Sequence, residues 1–340
     1  MMKAMVNFFS VVLIQACLVS CVQDKPVYNS FNGFVQGTTY SIIFQNNQKL
    51  DPFVLREEVE ALLHNFDMSL SLYQDSSILS RINRNEKVVA DAFFTEAFER
   101  SKELYELTGG AFDITVGPLV KAWGFGPDAV KRFSESMHDS LMHLVGMDKV
   151  ELKNGIISKK DPGITLDFNA VAQGFSVDIV CRHLDKLNID SYLVEIGGEV
   201  RVKGERGSSR WRIGIDRPVD YNVVPGTNLQ AIISLKDRSL ATSGNYRKFF
   251  VEDNIKYSHT IDPSTGYPVR HRLLSATIIT DDCTAADAVA TACMVMGLEK
   301  TLDFIKKHSE FEAYLIYSDD NGDFITWISE GLKKSISESD

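Results

Sequence analysis

Cysteine is scarce in this 340-residue chain, and its placement excludes two common architectures at once. Of the five cysteines, Cys17 and Cys21 fall at the extreme N-terminus, leaving only Cys181, Cys283 and Cys293 in the body. An odd, widely spaced set cannot be a disulfide framework, and it lacks the paired spacing that holds zinc. Cys181 and Cys293 fall in apolar helical contexts and read as small core residues. Basic excess is missing too. With 36 Lys and Arg against 46 Asp and Glu the net charge is −10, which argues against nucleic acid as the main partner. No block of like charge forms a tail, and no internal repeat or low-complexity linker interrupts residues 31–335. The apolar run at the N-terminus, Phe8 to Ile14, is well short of the about 20 residues that span a bilayer.

What is present is a chain with 44% hydrophobic residues, enough to bury an enzyme-sized core. Its N-terminus carries Lys3, the short apolar region, and then Leu18-Val19-Ser20-Cys21, which resembles a bacterial lipoprotein box. Residues 1–20 therefore read as a signal peptide, with Cys21 as a lipidated first residue and residues 21–30 as a polar tether. An ordinary signal peptide with an incidental cysteine is the alternative. On the first reading, the mature protein is held on a bacterial membrane, on the periplasmic side, with its main domain at 31–335.

Hydrophobic spacing predicts a strand over Gly33–Gln45 and helices over Leu55–Phe66, Thr95–Leu107 and Ala170–Leu187. Further strands are expected at Ile164–Phe168, Tyr192–Val202, Trp211–Ile215, Leu229–Leu235 and Leu273–Thr280. A hairpin pairs Ala313–Tyr317 with Phe324–Ile328. Strands and helices do not alternate regularly, so the expected class is α+β, with mixed, largely antiparallel sheets flanked by helices.

Chemistry concentrates between Tyr257 and Gly297. A polar loop, Ser258-His259-Thr260-Ile261-Asp262-Pro263, precedes Asp287-Ala288-Val289-Ala290-Thr291, which opens a helix that is apolar almost all round. Asp287 and Thr291 stand one turn apart on one face. A buried carboxylate needs a partner or a metal. A carboxylate and a hydroxyl among alanines make a hard-oxygen pocket suited to Mg²⁺, which completes its shell with substrate phosphates. An Asp-x-x-x-Thr taken alone is more often a helix cap or a solvent-facing pair. Four other segments join glycine, small residues and polar groups: Thr108–Pro118 around Asp113, Leu166–Gly174 around Asp167, Glu195-Ile196-Gly197-Gly198-Glu199, and Ala241–Tyr246. Each is compatible with plain turn chemistry. The double glycine suggests a bulge or a close ligand, and Ala241–Tyr246 reads as a compact loop.

In this order, these segments resemble the FAD:protein FMN transferase (ApbE) family of bacterial flavin transferases. The resemblance covers residues 33–328 and is carried by Gly110–Pro118, Ser258–Pro263 and Asp287–Thr291 together. It implies a single α+β domain that binds FAD and Mg²⁺. Such a domain moves FMN to a threonine hydroxyl of an acceptor protein and releases AMP. It also implies Asp287, Thr291 and the Ala170 carbonyl as metal ligands. The FAD site would be lined by Tyr73, Ala111, Phe112, Asp113, Asp167 and Ile261, with His259 catalytic. Gln36 and Gln173 occupy two further flavin-contacting positions and depart from the family's usual residues there. The acceptors implied are subunits of membrane-bound electron-transfer complexes.

The residues support the same chemistry. A threonine hydroxyl needs a base, and histidine, with an unperturbed pKa of about 6.5, suits the role; Asp262 or another carboxylate could orient it. Two other readings stay open: a Mg²⁺-dependent FAD pyrophosphatase using the same site, and a flavin-binding lipoprotein without catalysis.

Overall fold

The computed structural model describes residues 26–126, 132–219, 226–245, 249–252 and 255–338. The expected signal peptide and Cys21 lie outside the described residues. No helix among those described is long and apolar enough to cross a membrane.

The chain opens with a hairpin, β1 (Tyr28–Val35) and β2 (Thr38–Gln45), turned at Gln36 and Gly37, both at positive φ. The expected single strand over Gly33–Gln45 is therefore two. Its alternation continues through the turn because paired strands share their faces, and Gly37 is the only break in the pattern. Helices α1 (Pro52–Leu70), α2 (Ile78–Asn83) and α3 (Ala92–Leu107) follow, N-capped by the side chains of Asp51, Ser77 and Asp91. Two short helices, α4 (Gly117–Ala122) and α5 (His138–Met142), lead to a small hairpin, β3 (Val150–Lys153) with β4 (Ile156–Lys159).

Helix α6 (Ala172–Lys186) comes next, then a hairpin of β5 (Tyr192–Ile196) and β6 (Glu199–Lys203). The double glycine, Gly197-Gly198, is the two-residue turn between them, at φ 68° and 110°, rather than a bulge. Strands β7 (Trp211–Asp216), β8 (Leu229–Leu235) and β9 (Arg238–Gly244) follow. Ala241 to Gly244, expected in a loop, belong to β9. The chain closes with a hairpin of β10 (Phe249–Glu252) and β11 (Ile255–Ser258), then β12 (Leu273–Thr280), α7 (Cys283–Lys307), β13 (Glu312–Ser318), β14 (Phe324–Ile328) and β15 (Ile336–Glu338).

Eight strands form one sheet in the order β1-β2-β5-β6-β9-β12-β13-β14, and β15-β8-β7 form a smaller one. Every pairing among the described strands is antiparallel. Three layers result. Helices α1, α6 and α7 cover one face of the large sheet, and the small sheet covers part of the other. Strand β12 shows why its sequence is almost continuously apolar: Ala276 and Ile278 pack among the helices, while Ile279 packs toward the small sheet beside Tyr314 and Ile233.

Ile164–Phe168 is not a strand. Its alternate residues Ile164, Leu166 and Phe168 are buried as a strand's would be. Its backbone, however, is satisfied outside any ladder. The Asn83 side chain accepts from Leu166 N–H at 2.8 Å and donates to Leu166 C=O at 2.9 Å, and Asp167 N–H donates to Ile114 C=O at 2.7 Å.

Candidate active site

Helix α7 carries the Asp287/Thr291 pair and is buried on nearly every side of its first half. Its N-terminus is held twice. Asp282 accepts from Ala285 N–H at 2.8 Å as the N-cap. From α6, the Asp178 carboxylate accepts from Cys283 N–H (3.1 Å), Thr284 N–H (2.8 Å) and Thr284 Oγ1–H (2.6 Å), and pairs with Arg201 at 2.5 Å. Asp178 is 1% exposed, so a charge there requires this complete set of donors.

One turn before Asp178, Gly174 N–H donates to Asp287 Oδ2 at 3.0 Å. A Cβ on Gly174 would lie 2.3 Å from the Cys283 carbonyl oxygen and 2.7 Å from Asp287 Cβ. Only glycine lets the two helices approach this closely, and the approach fixes the carboxylate. Asp287 is 6% exposed, and burial raises its pKa to about 7 against the opposing Gly174 hydrogen bond. Thr291 Oγ1 lies 3.1 Å from Ser243 Oγ at the end of β9.

Helix α7 breaks at Gly297, where φ is 74° and ψ is −179°. The break leaves carbonyls of the first half without helical partners. Thr301 Oγ1–H donates to Cys293 C=O at 3.1 Å, and His271 Nε2–H donates to Met294 C=O at 2.6 Å. A Cβ at Gly297 would lie 3.2 Å from the His271 ring.

A second group of candidates gathers around the two segments that run beside each other at Asp113 and Asp167. The Asp113 carboxylate accepts from Thr115 N–H at 2.7 Å and Thr115 Oγ1–H at 2.6 Å, and Asp167 accepts from Asn169 N–H at 2.8 Å. Burial raises both pKa values, and these hydrogen bonds oppose it. Tyr73 is exposed at 64% yet has a raised pKa, first from desolvation and then from the nearby Asp167 charge. Ala111 and Phe112 precede Asp113. Phe112 is a core side chain, 2% exposed, so any ligand contact there would involve its backbone. Ala170 lies in the turn that enters α6 and is partly buried.

Gln36 and Gln173 meet at the entrance to α6. Ser176 Oγ–H donates to Gln173 C=O at 2.7 Å and stands 3.3 Å from Gln36 Oε1. A Cβ at Gly197 would lie 2.3 Å from Gln173 Nε2, so the β5–β6 turn backs directly onto that amide. The Gln36 amide lies near enough to Asp67 to oppose the upward shift that burial gives this carboxyl. It is nevertheless outside hydrogen-bond geometry, which leaves Gln36 Nε2 a buried donor without a partner.

His259 and Ile261 lie on the loop after β11. Ile261 is 5% exposed and packs with Leu119, Trp123 and Val145. Trp123 Nε1–H donates to Gly266 C=O at 2.8 Å, anchoring the loop against α4. The His259 ring meets Phe125 edge-on at 6.4 Å. A cavity of about 210 Å³, lined by Asn245, Ser258, Val269, Arg270 and His271, opens beside this loop. It touches both the end of β9 and the histidine that caps α7. A larger cavity of about 280 Å³ lies away from all these candidates, among β8, β9 and the turn before β15.

Among the described residues, no three His, Cys, Asp or Glu side chains converge, and Asp113, Asp167 and Asp287 form no ion pair. A cation beside Asp287 would therefore take one carboxylate plus hydroxyl, carbonyl and ligand oxygens, the donor set that suits Mg²⁺. Sequence reasoning missed Asp178, and reached Ser243 only as part of the segment Ala241–Tyr246 without giving it a role. Asp178 is an isolated acid inside the apolar run Val177 to Cys181, and that anomaly was its only signal.

The ApbE family model matches residues 36–315. The chain is 34% identical to an FAD:protein FMN transferase of Haemophilus influenzae, covering 98% of each chain, and 34% identical to one of Vibrio cholerae, covering 98% of this chain and 99% of the relative. Among solved structures, flavin transferase ApbE from Vibrio cholerae is similar with a TM-score of 0.81 and 33% identity, over 91% of this chain and 99% of that one. The apo form of the flavinyl transferase ApbE from Pseudomonas stutzeri is similar with a TM-score of 0.82 and 31% identity, over 92% and 98%.

Proposed function

We propose, for a chain that belongs to the ApbE family, that it transfers FMN from FAD to a threonine hydroxyl of an acceptor protein and releases AMP. The observation that carries this reading is the Asp287 carboxylate. It is buried, held by Gly174 N–H, and placed one helical turn from a hydroxyl that also faces Ser243. That arrangement suits a cation shared with a pyrophosphate and serves no evident packing purpose. Asp287, Thr291 and the Ala170 carbonyl would hold Mg²⁺. When bound, the cation neutralises the pyrophosphate and polarises the phosphorus on the FMN side.

The residues around it divide the remaining work. Tyr73, Asp113, Asp167, Gln36 and Gln173 would line the approach to the metal residues. His259 accepts the proton as the acceptor threonine oxygen bonds to the FMN phosphorus. The bond from that phosphorus to the bridging oxygen breaks, and AMP leaves with the bridging oxygen. The protonated imidazole is restored by proton loss to solvent. Export and lipidation at Cys21 would place this activity beside acceptor subunits of membrane-bound electron-transfer complexes.

The test is incubation of the mature protein with FAD, Mg²⁺ and a flavin-carrying subunit from the same cell. A fluorescent protein band with the mass of FMN added, and AMP in equal amount, is expected. Free FMN with no labelled protein would establish the pyrophosphatase reading instead. FAD binding with neither product would reduce the site to a binding site.

A further inference from the structure

We infer that the surface formed by Val27, Phe53 and Val54 rests on the lipid surface to which Cys21 is attached, holding the FAD site at the far end of the domain. This rests on the proposed lipidation of Cys21. Phe53 is 78% exposed, Val27 62% and Val54 51%; Phe34 and Val89 are as open elsewhere, so what calls for an occupant here is that three such side chains share the corner next to the tether. They belong to one folded corner. Asn46 N–H donates to Val27 C=O at 2.8 Å, the Asn46 amide donates to Asn29 Oδ1 and Leu50 C=O, and Asp51 then caps the helix that begins at Pro52.

Chain length names the occupant. Only Val22 to Lys25 separate Cys21 from Pro26. Even fully extended, that span reaches about 18 Å, so this corner cannot leave the neighbourhood of an anchored cysteine.

The same geometry fixes where the site lies. From this corner β1 runs eight residues to the turn at Gln36, and α1 runs nineteen residues toward Tyr73. The helix lies along the hairpin, as the hydrogen bond from Tyr40 Oη–H to Glu60 (2.7 Å) shows midway. At ~3.3 Å per strand residue and ~1.5 Å per helical residue the two elements span about 26 and about 28 Å. Both therefore end at the candidate site, which would open on the order of 25–30 Å above the lipid surface and face away from it. An acceptor threonine would then be presented at that height rather than at the bilayer surface.

The test uses the full lipidated chain in phosphatidylethanolamine–phosphatidylglycerol vesicles, with a fluorophore on Val54→Cys or, separately, on Tyr73→Cys. Among the described residues the native cysteines, Cys181, Cys283 and Cys293, are buried, and a lipidated Cys21 has no free thiol, so labelling is confined to the introduced one. Headgroup-borne quencher should quench the label at 54 and leave that at 73 unchanged. Phe53→Glu in the Val54→Cys background should lower quenching while the protein still floats with the vesicles. Equal quenching at both positions, or none at 54 in protein shown by mass spectrometry to carry lipid on Cys21, would overturn the orientation and leave the anchor standing. An unmodified Cys21 would instead remove the anchor, and the orientation with it. A dimer in detergent that Phe53→Glu dissociates, without quenching at 54, would make the patch a contact between copies and also overturn the proposal.

Discussion

The amide of Gly174 donates a 3.0 Å hydrogen bond to the carboxylate of Asp287, joining the first turn of α6 to the first half of α7. Four residues further along α6, Asp178 grips the start of α7 through three further donors. Two positions on one face of α6 thus fix both the origin and the rotation of the helix that presents Asp287 and Thr291.

That placement has a stability cost in the absence of a cation, and the cost has a definite pH dependence. The folded pKa of Asp287, about 7, lies above its unfolded value of 3.8, so the folded state binds the proton more tightly. Its contribution is fully present below about pH 4 and is lost as pH rises through 7. Asp287→Asn should therefore stabilise the metal-free protein at pH 8 by an amount on the order of 4 kcal/mol at most, while abolishing Mg²⁺-dependent turnover. Thermal unfolding with and without Mg²⁺ checks this. No gain at pH 8 would mean that the carboxylate is not isolated.

Gly174→Ala should act on both stability and metal use. Its Cβ would collide with the Cys283 carbonyl and with Asp287, forcing the helices apart at a cost of about 1–3 kcal/mol. The Mg²⁺ concentration for half-maximal activity should rise with it. Wild-type metal dependence in a folded variant would separate this contact from the site.

Asp178→Ala leaves Arg201 without its carboxylate and uncaps the Cys283 and Thr284 amides, a loss of about 3–5 kcal/mol for a buried pair. Asp178→Asn retains acceptor capacity and should lose less. Chemical denaturation of the two variants orders them, and equal losses would assign the effect to packing alone.

His259→Ala should slow FMN transfer by about 10²–10⁴-fold while FAD binding persists. The comparison is made between single-turnover rates and equilibrium flavin binding. A rate within a few-fold of wild type would exclude His259 as the base.

Cys21→Ser should shift the protein from membrane to soluble fractions and leave FAD turnover in detergent unchanged. Retention in the membrane fraction would point to a different anchor.

Strands β8 and β12 were legible to the residue because each is bounded by polar turns and patterned by burial. The paired hairpins were harder. Gly33–Gln45 and Tyr192–Val202 each read as one strand, since Gln36-Gly37 and Gly197-Gly198 take only two residues to reverse the chain and barely interrupt the alternation. Ile164–Phe168 has a strand's burial but takes its hydrogen bonds from the Asn83 side chain, a partner some 80 residues away in the sequence that no local pattern reveals. In the site, Asp287 and Thr291 were visible as a helical pair. The roles of Asp178 and Ser243 were not visible, because what matters about them is which distant backbone or hydroxyl they meet.

The break at Gly297 has a consequence for how motion travels through α7. A continuous helix of 25 residues would transmit fraying from its lysine-rich end toward Asp287. Here the ladder is interrupted, and the exposed end of the first half is closed by Thr301 and His271. Fraying of the last turn at Lys306 and Lys307 therefore stops at the break and need not loosen the segment that carries the carboxylate. Thr301 and the apolar side chains Leu298, Phe304 and Ile305 tie the second half to the same core, so what the break sets apart is the frayable lysine-bearing last turn, not the whole segment beyond Gly297.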